Sequence, residues 1–169
     1  MPVYDNACAF LFKMMLPFLE SHRIEIERFL QQIPRHRLIV WNGDVSCIPD
    51  EELKSYWNVG STMASRLDAF YESKSLCMEF DIECNEEKNL HYIQCGGYSY
   101  LVMYNFGILF DPLLGFDINA FVNNISRNTI VVLINNGKYE DGRLYLSKNM
   151  DTDSMKFFIN LNDINHVVL

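Results

Sequence analysis

The sequence predicts an α/β fold with three layers and a mainly parallel central sheet. Two observations carry this: continuous apolar runs at Tyr98–Tyr104 and Thr129–Ile134, and a helical segment between them. Strands buried on both faces read as unbroken apolar runs, and a helix joining two of them makes a parallel unit. A third is the element order of helix, strand, helix, strand, strand, helix, strand and β tail, which favours a layered α/β domain.

The N-terminal region, residues 1–34, carries Phe10, Leu11, Met14, Met15, Phe18, Leu19, Ile26, Phe29 and Leu30 at helical spacing. One or two helices are expected there, broken or kinked at Pro17 and closed by Ile33-Pro34. Such a Phe and Met stripe is core far more often than a partner-binding face.

Residues 35–142 form the expected α/β core. Arg37–Trp41 is a short apolar run ending in the turn Asn42-Gly43-Asp44, the form of a first strand. Pro49 and the acidic Asp50-Glu51-Glu52 predict a short helix whose first turn complements its positive end. Gly60-Ser61-Thr62 opens a capped helix running to about Glu72. Leu76–Ile82 reads as a second strand, Asn85–Leu90 as a polar connection or short helix, and Asn119–Ile125 as the crossover helix. In the tail, residues 143–169, Arg143–Leu146 and Met155–Ile159 read as edge strands around the acidic loop Asp151–Asp153, with Val167–Leu169 as a last short strand.

Single-domain size fits 169 residues, and 49% apolar with 14% aromatic residues argues against disorder. With 14 Lys and Arg against 22 Asp and Glu the formal net charge is -8, which repels a phosphate backbone and disfavours direct nucleic-acid binding. Five cysteines without C-x-x-C spacing and four scattered histidines suit a reduced compartment and do not form a zinc pattern. No basic-then-apolar leader and no bilayer-length apolar run occur, so a soluble, cytoplasmic protein is expected, with no membrane association.

In parallel sheets ligands bind at the carboxyl ends of the strands, so Tyr104–Gly107 and Asn135–Asn136 are the expected place for chemistry. A nucleotide site there needs a glycine loop with lysine and hydroxyl to hold phosphates, and a strand-end acid to hold magnesium. Gly43 lies in a loop with an acid, Asp44, where phosphate would sit; Gly60-Ser61-Thr62 has the hydroxyl but no lysine. Either glycine is a candidate for the loop. Asp111 precedes Pro112 and fits a turn. Asn135 or Asn136 reads either as a group that senses an outer phosphate or as part of an Asn-Gly turn, and Arg127 either as a phosphate contact or as a partner of surface acids.

Ile108-Leu109-Phe110-Asp111-Pro112, then Asp117, then Ser126-Arg127-Asn128-Thr129-Ile130-Val131-Val132, and Gly137-Lys138-Tyr139-Glu140-Asp141-Gly142-Arg143-Leu144 together resemble BrxF. This is the small AAA+-related P-loop ATPase of type 3 BREX phage-defence systems. The resemblance is best over Leu101–Leu146, weaker over Leu76–Leu90 and poor over the first third. It implies a P-loop NTPase-like fold and, as partners, a PglZ-like protein, a large ATPase and a DNA methyltransferase. The family's phosphate-loop lysine is missing here, Tyr104 stands at the family's strand-end aspartate, Asn105 fits, and Gly107 stands where an acid is expected. The expectation is therefore a degenerate NTPase-like scaffold or binding component without a catalytic residue. The alternative is a working nucleotide-binding ATPase or switch that takes ATP and magnesium through Gly60, Ser61, Thr62, Asn105 and Asn135 in an altered way.

Overall fold

The computed structural model describes residues 16–66, 76–148 and 156–169, with only the backbone for 76–80. Expectations resting on Phe10, Leu11, Met14 and Met15, on the stretch from 67 to 72, and on Asp151–Asp153 lie outside these residues.

Helix α1 (Pro17–Ser21) begins at the proline expected to kink it, because the missing N–H costs nothing in a first turn. Helix α2 (Arg23–Leu30) follows after His22, with Arg23 and Glu27 paired at 2.7 Å on its surface and Ile26 and Phe29 buried. Strand β1 (Leu38–Asn42) leads through a 3₁₀ turn to helix α3 (Asp50–Leu53), the short strand β2 (Trp57–Asn58) and helix α4 (Val59–Ala64).

Leu76–Glu87 is a helix, α5, so Leu76–Ile82 is not the strand its sequence pattern predicts. Its twelve residues contain no glycine, proline or turn signal and are longer than an ordinary strand; several are strong helix formers, and Cys84 is buried from it. A strand that the pattern leaves out follows: β3 (Tyr92–Cys95) pairs antiparallel with β4 (Tyr98–Tyr104). Gly96 and Gly97, both at positive φ, make the two-residue turn between them.

Helix α6 (Ile118–Asn128) buries Ile118, Phe121, Val122 and Ile125, one stripe at three- and four-residue spacing. Asp117 caps it by accepting the Ala120 N–H at 2.9 Å. Strand β5 (Ile130–Asn135) is buried along its whole length.

Among the described residues the central sheet runs β2-β4-β5-β1-β9, where β9 is His166–Val168, and all these neighbours are parallel; β3 is added antiparallel at β4. The tail does not extend this sheet as edge strands until β9. Instead β6 (Lys138–Glu140), β7 (Arg143–Tyr145) and β8 (Phe158–Asn160) form a separate antiparallel sheet.

Alternation sorts the strands onto two cores. Ile39, Val102, Ile130, Val132 and Ile134 pack with Phe18, Leu19, Ile26 and Phe29 of α1 and α2, together with Ile48 and Tyr56 from the segment after β1. Leu38, Val40, Leu101, Met103, Val131 and Leu133 pack with α4, α6 and, from the small sheet and the chain after it, Leu144, Ile159 and Leu161. No helix among the described residues is long and apolar enough to cross a membrane.

Burial raises the titration of several groups: Cys84 from 9.0 to about 12, Cys95 from 9.0 to about 11, and the Tyr56 and Tyr100 phenols in the same direction. Their neutral forms belong to the fold, so their contribution is complete below the unfolded values and is lost as pH rises toward the folded ones. The melting temperature is expected to hold near neutrality and to fall from about pH 9 upward. A melting series in buffers from pH 7 to 11 checks this, and a flat profile contradicts it.

Candidate functional site

Neighbouring strands β1 and β5 send the chain to opposite faces of the sheet. The segment after β1 buries Ile48 and Tyr56 against α1, whereas the segment after β5 buries Leu144 and Ile159 on the other side. Such a divergence opens a crevice beyond the carboxyl ends of the two strands, where α/β sheets bind ligands. A 400 Å³ cavity lies there, with Val45, Tyr104, Phe106, Ile134 and Leu146 supplying its apolar and aromatic wall. Asn105, Gly107, Asn135 and Asn136 complete it. A larger groove of 600 Å³ between α2 and β9 includes Gln32 and Pro34 from the turn ahead of β1, at the amino end of the sheet and away from this position.

Four parallel strands end in uncharged polar residues: Asn42, Asn58, Tyr104 and Asn135. Register places Asn42 beside Asn135 and Asn58 beside Tyr104. The buried Asn135 donates its side-chain amide to the Tyr145 carbonyl at 2.9 Å and toward Asn42 Oδ1 at 3.4 Å, and its own carbonyl accepts the Gly43 N–H at 3.0 Å. This ties the end of β5 to the loop after β1 and to the small sheet.

A second knot forms one strand further out. Asn58 Oδ1 accepts the Ser61 N–H at 3.0 Å and the Asn105 side-chain amide at 2.9 Å. Asn105 adopts a left-handed conformation, φ 53°, which asparagine tolerates better than most residues. Gly60 makes room for it: a Cβ at Gly60 would lie 2.5 Å from Asn105 Nδ2 and 2.7 Å from its backbone oxygen. Thr62 Oγ1 donates to the Asn58 carbonyl at 3.0 Å.

The five candidate nucleotide residues thus separate into two groups. Gly60, Ser61 and Thr62 lie in the first turn of α4 after β2, which Asn58 caps by accepting the Ser61 N–H; they do not line the cavity. Asn105 and Asn135 do line it, from β4 and β5. Gly43 lies in the loop at the crevice, where its missing Cβ accommodates the Trp41 ring at 2.6 Å. In the same loop the exposed Asp44 carboxylate accepts the Ser46 N–H at 3.0 Å, which with the Ser46 hydroxyl holds it below the usual carboxylate range.

Arg127 is at the other end of the sheet. Its Nε donates to His36 Nε2 at 3.3 Å and its carbonyl accepts from Arg37 at 2.9 Å, beside the start of β1. Among the described residues its side chain pairs with a histidine and with no acid. Asp111 accepts the Leu113 N–H at 2.9 Å in a turn, as its proline neighbour suggests. No group of three or more His, Cys, Asp or Glu side chains suited to a metal ion occurs among the described residues.

Sequence reasoning misses Asn42 and Asn58, the two partners that orient Asn135 and Asn105. Asn42-Gly43 reads as a turn, and Asn58 lacks any pattern of its own beyond standing three residues before Ser61, the spacing of a helix cap. No protein family, curated protein or solved structure matches the chain.

Proposed function

We propose that this chain is a non-hydrolysing P-loop NTPase-like protein that acts by binding other proteins, as a cytoplasmic component of a BREX-like phage-defence system. The observation that carries the first half is the commitment of the amide hydrogens at the crevice. Asn135 spends them on Tyr145 and Asn42, Asn105 turns its amide to Asn58, and the Ser61 N–H is spent on the same Asn58. A phosphate needs donors and positive charge at such a position. Here both Asn135 hydrogens, one Asn105 hydrogen and the Ser61 N–H are turned inward, no lysine or arginine lines the cavity, and the strand end carries Tyr104.

The parallel sheet with its crevice at the central pair β1 and β5 supports a P-loop-like scaffold. Phage defence and its partners, a PglZ-like protein, a large ATPase and a methyltransferase, follow from the resemblance over Leu101–Leu146.

Thermal unfolding with and without millimolar ATP and magnesium tests the reading. The expected result is an unchanged midpoint. Nucleotide at a hundred times its dissociation constant would add about 2.7 kcal/mol, or about 5 to 11 °C for a chain of this size, and a shift of that order would favour a working nucleotide switch.

A further inference from the structure

We infer that the crevice between the ends of β1, β4 and β5 binds a guanidinium or alkylammonium cation in place of a phosphate. The inference rests on the reading of this crevice as a binding site without hydrolysis.

Two backbone groups decide how the asparagine side chains point. The Tyr145 carbonyl can only accept, so the Asn135 side chain must turn its nitrogen to it, 2.9 Å away. Its second hydrogen points toward Asn42 Oδ1, and Asn135 Oδ1 is left without a hydrogen-bond partner among the described residues. The Ser61 N–H can only donate, so Asn58 must turn its oxygen to it, and Asn105 must then present nitrogen to that same oxygen. Asn105 Oδ1 is likewise left over. Both side chains line the cavity: Asn135, with both amide hydrogens engaged, retains only an acceptor oxygen for a ligand, and Asn105 retains an acceptor oxygen beside one amide hydrogen.

Other features of the crevice act in the same sense. Tyr104 and Phe106 offer aromatic surface, which attracts a cation over the ring face. Asp44, one residue from Val45 in the wall, keeps its carboxylate ionised, and the whole chain carries a net charge of -8. A guanidinium group is planar, weakly hydrated and made of donors alone, so it matches two carbonyl oxygens beside an aromatic ring. Phosphate, an anion whose oxygens seek donors, finds among these asparagines only the second Asn105 amide hydrogen, and it is opposed by the acceptor oxygens, the Asp44 carboxylate and the net charge.

The test is an NMR titration of the full chain, following the Asn105 and Asn135 side-chain amide signals with ethylguanidinium, ethylammonium and inorganic phosphate as separate probes. Saturable shifts with the two cations and none with phosphate are expected. Gly107→Trp should weaken the cation at least tenfold. Gly107 lines the cavity, and a Cβ there would meet Leu146 at an ordinary 3.8 Å, so a large side chain enters the space without a backbone clash.

A blocked Gly-Arg-Gly peptide and spermidine then separate the sources of the cation. Tighter binding of the peptide assigns it to a partner protein's side chain, and tighter binding of spermidine to a free polyamine. Phosphate shifting the asparagine signals overturns the inference, as do cation shifts spread over the acidic surface and unaffected by Gly107→Trp. ATP stabilising the fold would overturn the scaffold reading as well, whereas absent cation binding with no ATP effect removes this inference alone.

Discussion

Glu52→Ala is expected to lower the stability of this protein by about 3 kcal/mol, a fall of about 6 to 12 °C in melting temperature. Glu52 is 2% exposed, and its carboxylate accepts the backbone N–H of Phe18 at 2.8 Å and of Leu19 at 3.3 Å, together with the Tyr56 hydroxyl. The two amides belong to the first turn of α1, whose N–H groups have no partner within the helix. Loss of the carboxylate strands two buried amides and a buried phenol, and an unmet buried donor costs more than the bond itself contributed. Glu52→Gln keeps an acceptor oxygen and should lose about half as much. Thermal melts of both variants, with hydrogen exchange at the Phe18 amide, check the account. A Glu52→Ala melt within a degree of the parent would refute it.

Gly137→Ala is expected to cost about 3 kcal/mol and to disturb the crevice at the same time. A Cβ at Gly137 would sit 2.0 Å from the Tyr145 carbonyl oxygen and 2.6 Å from the Leu146 carbonyl carbon, backbone atoms at the end of β7 and just after it. The small sheet must then move, and the Tyr145 carbonyl that orients Asn135 moves with it. The melting temperature should fall, and the Asn135 side-chain amide signals should shift and exchange faster with solvent. If the melt drops while these signals stay in place, the link between the two sheets is not what orients Asn135.

These residues show where local reading succeeds and where it stops. Asp50-Glu51-Glu52 is legible as the acidic start of a helix, and α3 begins at Asp50. That Glu52 serves α1, more than thirty residues earlier, is not written in any local spacing. Asn136-Gly137 is legible as a turn because that pair favours turns, yet Gly137 is required for the close approach of Tyr145 and Leu146. Leu76–Ile82 misleads for a related reason: apolar and polar residues alternate from Met78 to Glu83, and a period of two over so few residues does not separate strand from helix. The Gly96-Gly97 hairpin was readable, since two glycines between Tyr92–Cys95 and Tyr98–Tyr104 are a strong short-range turn signal.

By itself the sequence determined the α/β class, the buried strands β1, β4 and β5, the crossover helix α6 and the carboxyl-end position of Asn105 and Asn135. Each follows from apolar runs and periodicities that span ten residues or fewer, within reach of the local chain. Only the tertiary structure decided the sheet order, the separation of the small antiparallel sheet and the removal of Arg127 to the far end. It also decided which atom each asparagine turns to the crevice. Those outcomes depend on pairings between residues from 10 to 93 positions apart, such as Asn135 with Tyr145 or Asn42 and Arg127 with His36, and the identity of the residues does not specify the partner. An asparagine side chain carries a donor and an acceptor at nearly equal reach. Whether the site faces a ligand with one or the other is settled by the backbone group that claims the first.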